Sequence, residues 1–374
     1  MMQNIFLSNA FRTGKTHTSW WGSFKTGAAD DAMPGQPSND LPGNHEQVMD
    51  ELPGVASAYP EVLVLMAVFN GMNWLPEQLE SILKQDNVRI KLLISVDLSD
   101  DNSYDWCCEQ AQNDHRISVL PYGQRYGSAT ANFFRLLRDA DFSQSDYVAF
   151  ADQDDIWYQD KLSRASELMK RHQLSGYSSD VRAFWPDGRS EKVKKSQSQQ
   201  KWDYCFEAAG PGCTYVLTPE LSKTIQRFLS DHQALAGSLK YHDWFCYAVA
   251  RHLNMKWYID SSITMDYRQH QSNLIGVNRG HKAFLFRMKK LLGGEALDQV
   301  ELTLKALAML GGSSTHYPGY LKPRAGFGAI RLGIESMRCR RKRKDQMLFF
   351  LFCLMLSISG RRNVTDRKQK DTEL

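Results

Sequence analysis

The sequence predicts an α/β fold, a sheet of buried strands flanked by helices, and three observations carry that prediction. From Glu61 onward, short apolar runs alternate with amphipathic segments over about 100 residues, the pattern of right-handed βαβ units in a doubly wound sheet. The first run, VLVLMAVF, is continuously apolar, as a strand buried on both faces must be. A later run, YVAFAD, opens into three carboxylates, Asp152, Asp154 and Asp155. The carboxyl ends of strands are where such sheets bind their ligands.

The elements follow in order. The first strand begins at Glu61 and ends at Asn70 and Gly71. In WLPEQLESILKQ, Leu75, Leu79, Ile82 and Leu83 share one helical face, and Pro76 suits a first turn. IKLLISVD predicts a second strand, stopped by the polar turn LSDDNS, and an amphipathic piece then runs to His115. ISVLP is a third, short strand, Asn132 to Leu137 reads as helical, and the strand YVAFAD delivers the acids. A helix spans Lys161 to about His172, while the Ser-, Lys- and Gln-rich stretch from Ser175 to Lys201 reads as a surface excursion. WDYCFEAAGPGCTYVLTPELSKTIQRFL supplies a turn, a strand and a helix. YHDWFCYAVARHL is a further helix with His242 and Asp243 at its start, where the helix dipole favours a carboxylate. A strand near MKWYID leads into MDYRQHQSNLIG, and the remainder is helical and increasingly basic.

A chain of 374 residues, 42% apolar, has room for one large domain with appendages or for two. A net charge of +4 is too small to indicate a nucleic acid partner. Seven cysteines show neither Cys-x-x-Cys nor zinc spacing, which points to a reducing compartment. Residues 1–58 mix Gly, Pro, Ser, Asn and Asp with isolated aromatics such as Trp20 and Trp21. They read as a poorly ordered extension without a signal peptide. Residues 59–280 form the sheet domain and 281–374 a helical C-terminal region. Within it RCRRKRK precedes MLFFLFCLMLSIS, a run short of the roughly 20 residues that span a bilayer. A basic belt beside an apolar helix predicts that 338–362 attaches to an anionic inner leaflet. Packing on the protein's own core or on a partner subunit is the alternative.

The acids need a counter-charge, because neighbouring carboxylates repel one another. A hard divalent cation, Mg²⁺ or Mn²⁺, is held by one or two carboxylates together with substrate phosphate oxygens. A solvated acidic turn is the commoner meaning of Asp-x-Asp, but the buried strand before it and Ile156 and Trp157 after it argue against that here. DLSDDNSYDWCCE matches a calcium loop at Asp97, Ser99 and Asp101, yet has Asn102 where that loop needs Gly and Cys108 where it needs Glu.

VLMAVFNGMNWLPEQLESIL, ISVDLSDDNS, YGQRYGSATANFFRLL, AFADQDDIWYQDKL, GPGCTYVLT, HDWFCYAVA and DYRQHQSNLIG together resemble family-2 glycosyltransferases, and within them the rhamnosyltransferase-like branch. The resemblance spans Glu61 to Gly276, somewhat over half the chain. It implies the GT-A fold, a Rossmann-like nucleotide-binding mixed sheet flanked by helices, here with a basic helical C-terminal extension. It also implies inverting transfer of a sugar from a nucleoside diphosphate to a hydroxyl. The expected donor is dTDP-L-rhamnose, with a UDP-hexose as the alternative. The expected acceptor is a lipid-linked glycan of bacterial surface polysaccharide, reached by peripheral contact with the cytoplasmic face of the membrane. A phosphohydrolase and a non-catalytic scaffold of the same fold are the rival readings.

By that resemblance, Phe69 and Asn70 line the nucleotide pocket and Asp97 stands where a carboxylate contacts the base. The usual Asp-Asp-Gly-Ser turn is replaced by Asp97-Leu98-Ser99-Asp100-Asp101, which leaves open which acid meets the base. Asp152 and Asp154 match the metal-and-diphosphate pair, with Asp155 behind them. His270 could complete the metal site, and Arg268 could face the diphosphate. Gly210, Gly212 and Cys213 mark a turn bordering donor and acceptor sugars, beside His242 and Trp244. Asp243 matches the catalytic base; a helix N-cap is its structural alternative.

Overall fold

The computed structural model describes residues 59–270, 295–311 and 327–359. The expected N-terminal extension, the block QSNLIG and the residues after 359 lie outside them. The first half alternates as predicted: β1 (Glu61–Val68), α1 (Leu75–Leu83), β2 (Arg89–Val96), α2 (Ser103–Asn113), β3 (Ile117–Val119), α3 (Ala129–Asp139) and β4 (Tyr147–Asp152). These four strands are parallel, in the spatial order β3-β2-β1-β4. The second half comprises β5 (Ile156–Trp157), α4 (Lys161–His172), β6 (Gly176–Phe184), β7 (Ser190–Val193), β8 (Val216–Leu217), α5 (Pro219–Asp231), α6 (Gln233–Ala236), α7 (His242–His252) and β9 (Trp257–Arg268). It extends the sheet through β8-β6-β9-β5, with β8 antiparallel to both β4 and β6. The result is a mixed sheet of the GT-A type.

Both faces of the sheet are covered. Leu63, Leu65 and Ala67 of β1 point into a core shared with α3 and α7, whereas Val62, Val64 and Met66 point into one shared with α1 and α4. That parity explains why the β1 run carries no polar alternation.

One expectation fails in part here. The stretch Ser175–Lys201 is a surface excursion only from Trp185 on, where side chains are mostly exposed or partly so; before that, β6 lies in the middle of the sheet, parallel to β9. Its polar residues misled the compositional reading, since Ser178, Ser179 and Asp180 are fully buried yet satisfied from within the fold. The Trp257 indole donates to Ser178 Oγ, Ser179 Oγ pairs with Thr264 Oγ1, and Asp180 accepts from the Lys195 and Ser196 amides. A hydrogen-bonded polar group can be buried at little net cost.

β6 also begins at a close approach. A Cβ on Gly176 would lie 2.1 Å from Cε3 of Trp257, whose ring is wedged edge-on against Tyr215 and Tyr247. Gly176→Ala is expected to cost about 2–3 kcal/mol by overpacking. Urea unfolding would check this, and a loss well under about 1 kcal/mol would mean that the indole is free to move.

The C-terminal helices α8 (Glu295–Met309), α9 (Phe327–Ile334), α10 (Ser336–Cys339) and α11 (Arg343–Ser359) share the first of the two cores. Leu304, Leu332, Phe349, Phe352 and Cys353 are buried in it. The basic belt is only partly as expected. Arg340 and Arg341 are buried, donating to the carbonyls of Phe206 and Ala208 and facing Glu207 and Asp203. They are structural cations, whereas Arg338, Arg343 and Lys344 remain exposed. Among the described residues no helix is long and apolar enough to cross a membrane.

Candidate active site

The site lies at the carboxyl ends of β1, β2 and β4. Asn70 closes β1 in the left-handed region, at φ 48°, a conformation that Asn tolerates better than most residues. Its side chain accepts from the Asp100 amide at 2.8 Å, and its own amide donates to Ser99 Oγ at 3.0 Å. Phe69 is half-exposed at the same edge. Gln153, between the acids, pairs both faces of its amide with the Phe69 backbone, at 2.7 and 2.9 Å. This residue was not singled out from sequence, although an amide set among carboxylates was a visible signal. It locks the acidic loop to the end of β1.

Asp97 is buried and accepts backbone N–H groups from Leu98, Tyr126 and Gly127 at 2.7–2.8 Å. It therefore clamps the Tyr126–Gly127 turn. Asp101 is engaged likewise with Ser103 and the Met72 amide, so Asp100 is the exposed carboxylate of this turn.

In the acidic loop, Asp152, Asp155 and Cys213 place ligand atoms within 4.8 Å of one another. Burial, Asp154 and Asp243 push Asp152 up to about 7, with the Cys213 thiol pulling the other way. Asp155 is raised well above the carboxylate range by burial and its two acidic neighbours, and its Oδ2 has no hydrogen-bond partner. Crowded carboxylates with an orphaned oxygen fit a divalent cation. Burial and the Asp155 and Asp152 carboxylates hold Cys213 as a thiol. Behind them lies Lys161, which sequence reasoning missed because nothing local distinguishes it from a surface lysine. It is fully buried, 4.1 Å above the Trp157 ring, and desolvation lowers it to about 8.

The expected metal set is distributed differently. Asp154 pairs with His270, Oδ2 to Nε2 at 2.7 Å, and the imidazole stacks on Trp74 with centroids 4.1 Å apart. Asp152 instead groups with Asp155 and Cys213. Arg268 is likewise committed elsewhere than to a diphosphate. Its Nε donates to the Asp154 carbonyl at 2.8 Å, its guanidinium pairs with Glu77, and it packs over Phe184. It holds the acidic loop against β9.

The second wall is the start of α7. Asp243 is buried and accepts the Trp244 amide at 2.7 Å; the N-cap position belongs to Tyr241, so capping is not what places Asp243. Trp244 points away from the site, buried with its indole on the Tyr204 carbonyl, and is a core residue contrary to expectation. The 3-10 turn Gly212–Thr214 joins the two walls. A Cβ on Gly212 would lie 2.5 Å from His242 Nε2 and 3.3 Å from Asp243 Cβ. The next residue, Cys213, touches the acids.

His242 is stacked on Phe133 at 4.0 Å, and its Nε2 has no hydrogen-bond partner. Burial pushes it down to about 4 from 6.5. The folded state thus resists a proton that the unfolded chain accepts, so this contribution is complete above pH 6.5 and is lost as pH falls towards 4. Up to about 3 kcal/mol of stability should be lost across that window. Urea titrations at stepped pH would show it, with a shallower slope for His242→Phe; an unchanged slope would assign the effect elsewhere.

The family model for Glycosyl transferase family 2 matches residues 63–212. The dTDP-rhamnosyl transferase RfbG of Shigella flexneri is 40% identical over 294 residues, covering 78% of this chain and 100% of that protein. The putative teichuronic acid biosynthesis glycosyltransferase TuaG of Bacillus subtilis (strain 168) is 31% identical over 123 residues, 32% of this chain and 47% of that one. Among solved structures, S. aureus TarS 1–349 in complex with UDP-GlcNAc aligns with a TM-score of 0.46 and 15% identity, covering 83% of this chain and 92% of that one. That likeness carries no weight in the assignment. Similarity that spans the whole of RfbG and 78% of this chain, with the family match over residues 63–212, establishes that the chain is a glycosyltransferase belonging to family 2.

Proposed function

We propose that the protein transfers L-rhamnose from dTDP-L-rhamnose, with inversion, to a hydroxyl of a lipid-linked glycan in bacterial surface polysaccharide synthesis at the cytoplasmic face of the membrane. The observation that carries this reading is the Gly212–Cys213 turn. One residue of it touches Asp243 and the next touches the acids, so base and diphosphate site are joined by a single turn. The donor of the Shigella relative supports the choice of nucleotide sugar.

Asp243 takes the proton of the acceptor hydroxyl as its oxygen attacks the anomeric carbon and the bond from that carbon to the diphosphate oxygen breaks. A single in-line displacement reverses the configuration. Phe69 and Asn70 line the nucleotide pocket, with Asp100 the acid that reaches its base. Asp152 and Asp155, with Cys213 beside them, would hold Mg²⁺ or Mn²⁺, while Asp154 stays paired with His270 next to them. When bound, the cation neutralises charge on the leaving diphosphate.

The test is release of nucleoside diphosphate by the purified full chain across a panel of nucleotide sugars, with Mn²⁺, Mg²⁺ or EDTA and lipid-linked acceptor extract. Release from dTDP-rhamnose, raised by acceptor and lost with EDTA, is the expected result. Turnover of a UDP-hexose instead would replace the donor. Sustained release without acceptor would mark a phosphohydrolase, and no turnover of any donor would mark a scaffold.

A further inference from the structure

We infer that the outer face of α9, α10 and α11 is a docking surface for an anionic lipid bilayer. This rests on the reading above, that the acceptor is carried on a membrane lipid, and it names the surface that makes the contact. Of thirteen large apolar side chains exposed among the described residues, nine lie between Phe327 and Met355. Soluble surfaces seldom gather such side chains without a partner.

The two helices cross at Gly333, where a Cβ would lie 3.1 Å from Cys353 Cβ and 3.3 Å from the Phe350 ring. Phe350 is itself half-exposed. It therefore joins Ile334 and Met337, around Gly333, to Met347, Leu351 and Leu354 on its own helix. The inner faces are sealed into the core through Leu332, Phe352 and Cys353, so the apolar outer face is not a helix awaiting its own fold.

Charge decides the occupant. The exposed charged side chains of residues 327–357 are all cations: Arg331, Arg338, Arg343 and Lys344. Of the two carboxylates of this stretch, the partly exposed Glu335 pairs with the rim's own Arg338 at 3.1 Å and the buried Asp345 faces the buried Arg340 at 3.9 Å, which leaves the outer face net cationic. A second copy docked face to face would set this cationic rim against itself, because a two-fold interface pairs a patch with the same patch. Anionic headgroups complement the rim while the acyl boundary takes the apolar residues. The surface is also tied to the site. Arg340 and Arg341, between α10 and α11, donate to the carbonyls of Phe206 and Ala208, in the loop that leads to the Gly212–Cys213 turn.

The experiment is co-sedimentation of the full chain with vesicles of phosphatidylcholine alone or with about a third phosphatidylglycerol. Binding to the anionic vesicles only, weakened by salt, is expected. Ile334 and Met347 are 68% and 59% exposed, so an Ile334→Glu/Met347→Glu chain should fold normally and bind at least about tenfold less. Arg343→Ser/Lys344→Ser should weaken anionic binding while leaving the fold intact. Vesicle binding unchanged in both variants, or absent in the wild type, overturns the inference. So does a wild-type dimer in analytical ultracentrifugation that the first variant dissociates. Diphosphate release with detergent-dispersed acceptor, run in parallel, should be equal in all three proteins. Its absence in all three would defeat the transferase reading and leave the vesicle result standing.

Discussion

Asp243→Asn is expected to lower the rate of sugar transfer by about 10²–10⁴-fold, the range typical of losing a general base, with little change in donor KM. The fold should barely notice. The carboxylate accepts the Trp244 amide at 2.7 Å, and an Asn side-chain carbonyl can accept the same bond. What is lost is a negative charge in the first turn of α7, worth about 0.3–1 kcal/mol, which should move Tm by no more than about 3 °C. A carboxamide cannot take the acceptor proton at neutral pH, so the variant separates the chemical role from the structural one. Diphosphate release with saturating acceptor would measure the rate and thermal unfolding the stability. If the variant keeps more than about a tenth of the activity, the proton goes to another group.

Asp243 also illustrates which parts of the site are legible in the sequence. The strands were, because burial on both faces forces unbroken apolar runs such as that of β1. The acidic block was, because three carboxylates in four positions need a reason. Pairing was not. Asp152, Asp154 and His270 look like one ligand set in the sequence, but the loop turns Asp154 towards His270 and Asp152 towards Asp155 and Cys213. Arg268 looks like a phosphate ligand until Glu77, 191 positions away, is seen beside it. Such partners are chosen by the tertiary fold, and no local pattern reports them. β6 was missed for the same reason. Its Ser-Ser-Asp is polar by composition, and only Trp257, Thr264 and the amides of Lys195 and Ser196 make it a core strand. The belt at 338–344 divided along the same line, since carboxylates at Asp203 and Glu207 drew two of its arginines inside.

Gly212→Ala is the sharper test of how the site is assembled, because it adds one carbon and removes no functional group. That carbon would sit 2.5 Å from His242 Nε2, closer than any real contact. The imidazole cannot swing aside easily, since its ring is stacked on Phe133 at 4.0 Å with Phe150 nearby. The turn must move instead, and it carries Cys213 with it, away from Asp152 and Asp155. A displacement of about 1 Å at a reacting centre can cost about 10²-fold in rate, and overpacking of this size costs about 1–3 kcal/mol in stability. Both losses are expected together, read as diphosphate release and urea unfolding. His242→Ala in the same chain opens the space that the new methyl needs. It should therefore restore part of the stability lost to Gly212→Ala, a coupling visible only if the two positions meet as described. Strict additivity of the two substitutions would mean that the turn and α7 do not touch. The Gly212–Cys213 turn would then no longer connect the base to the acids.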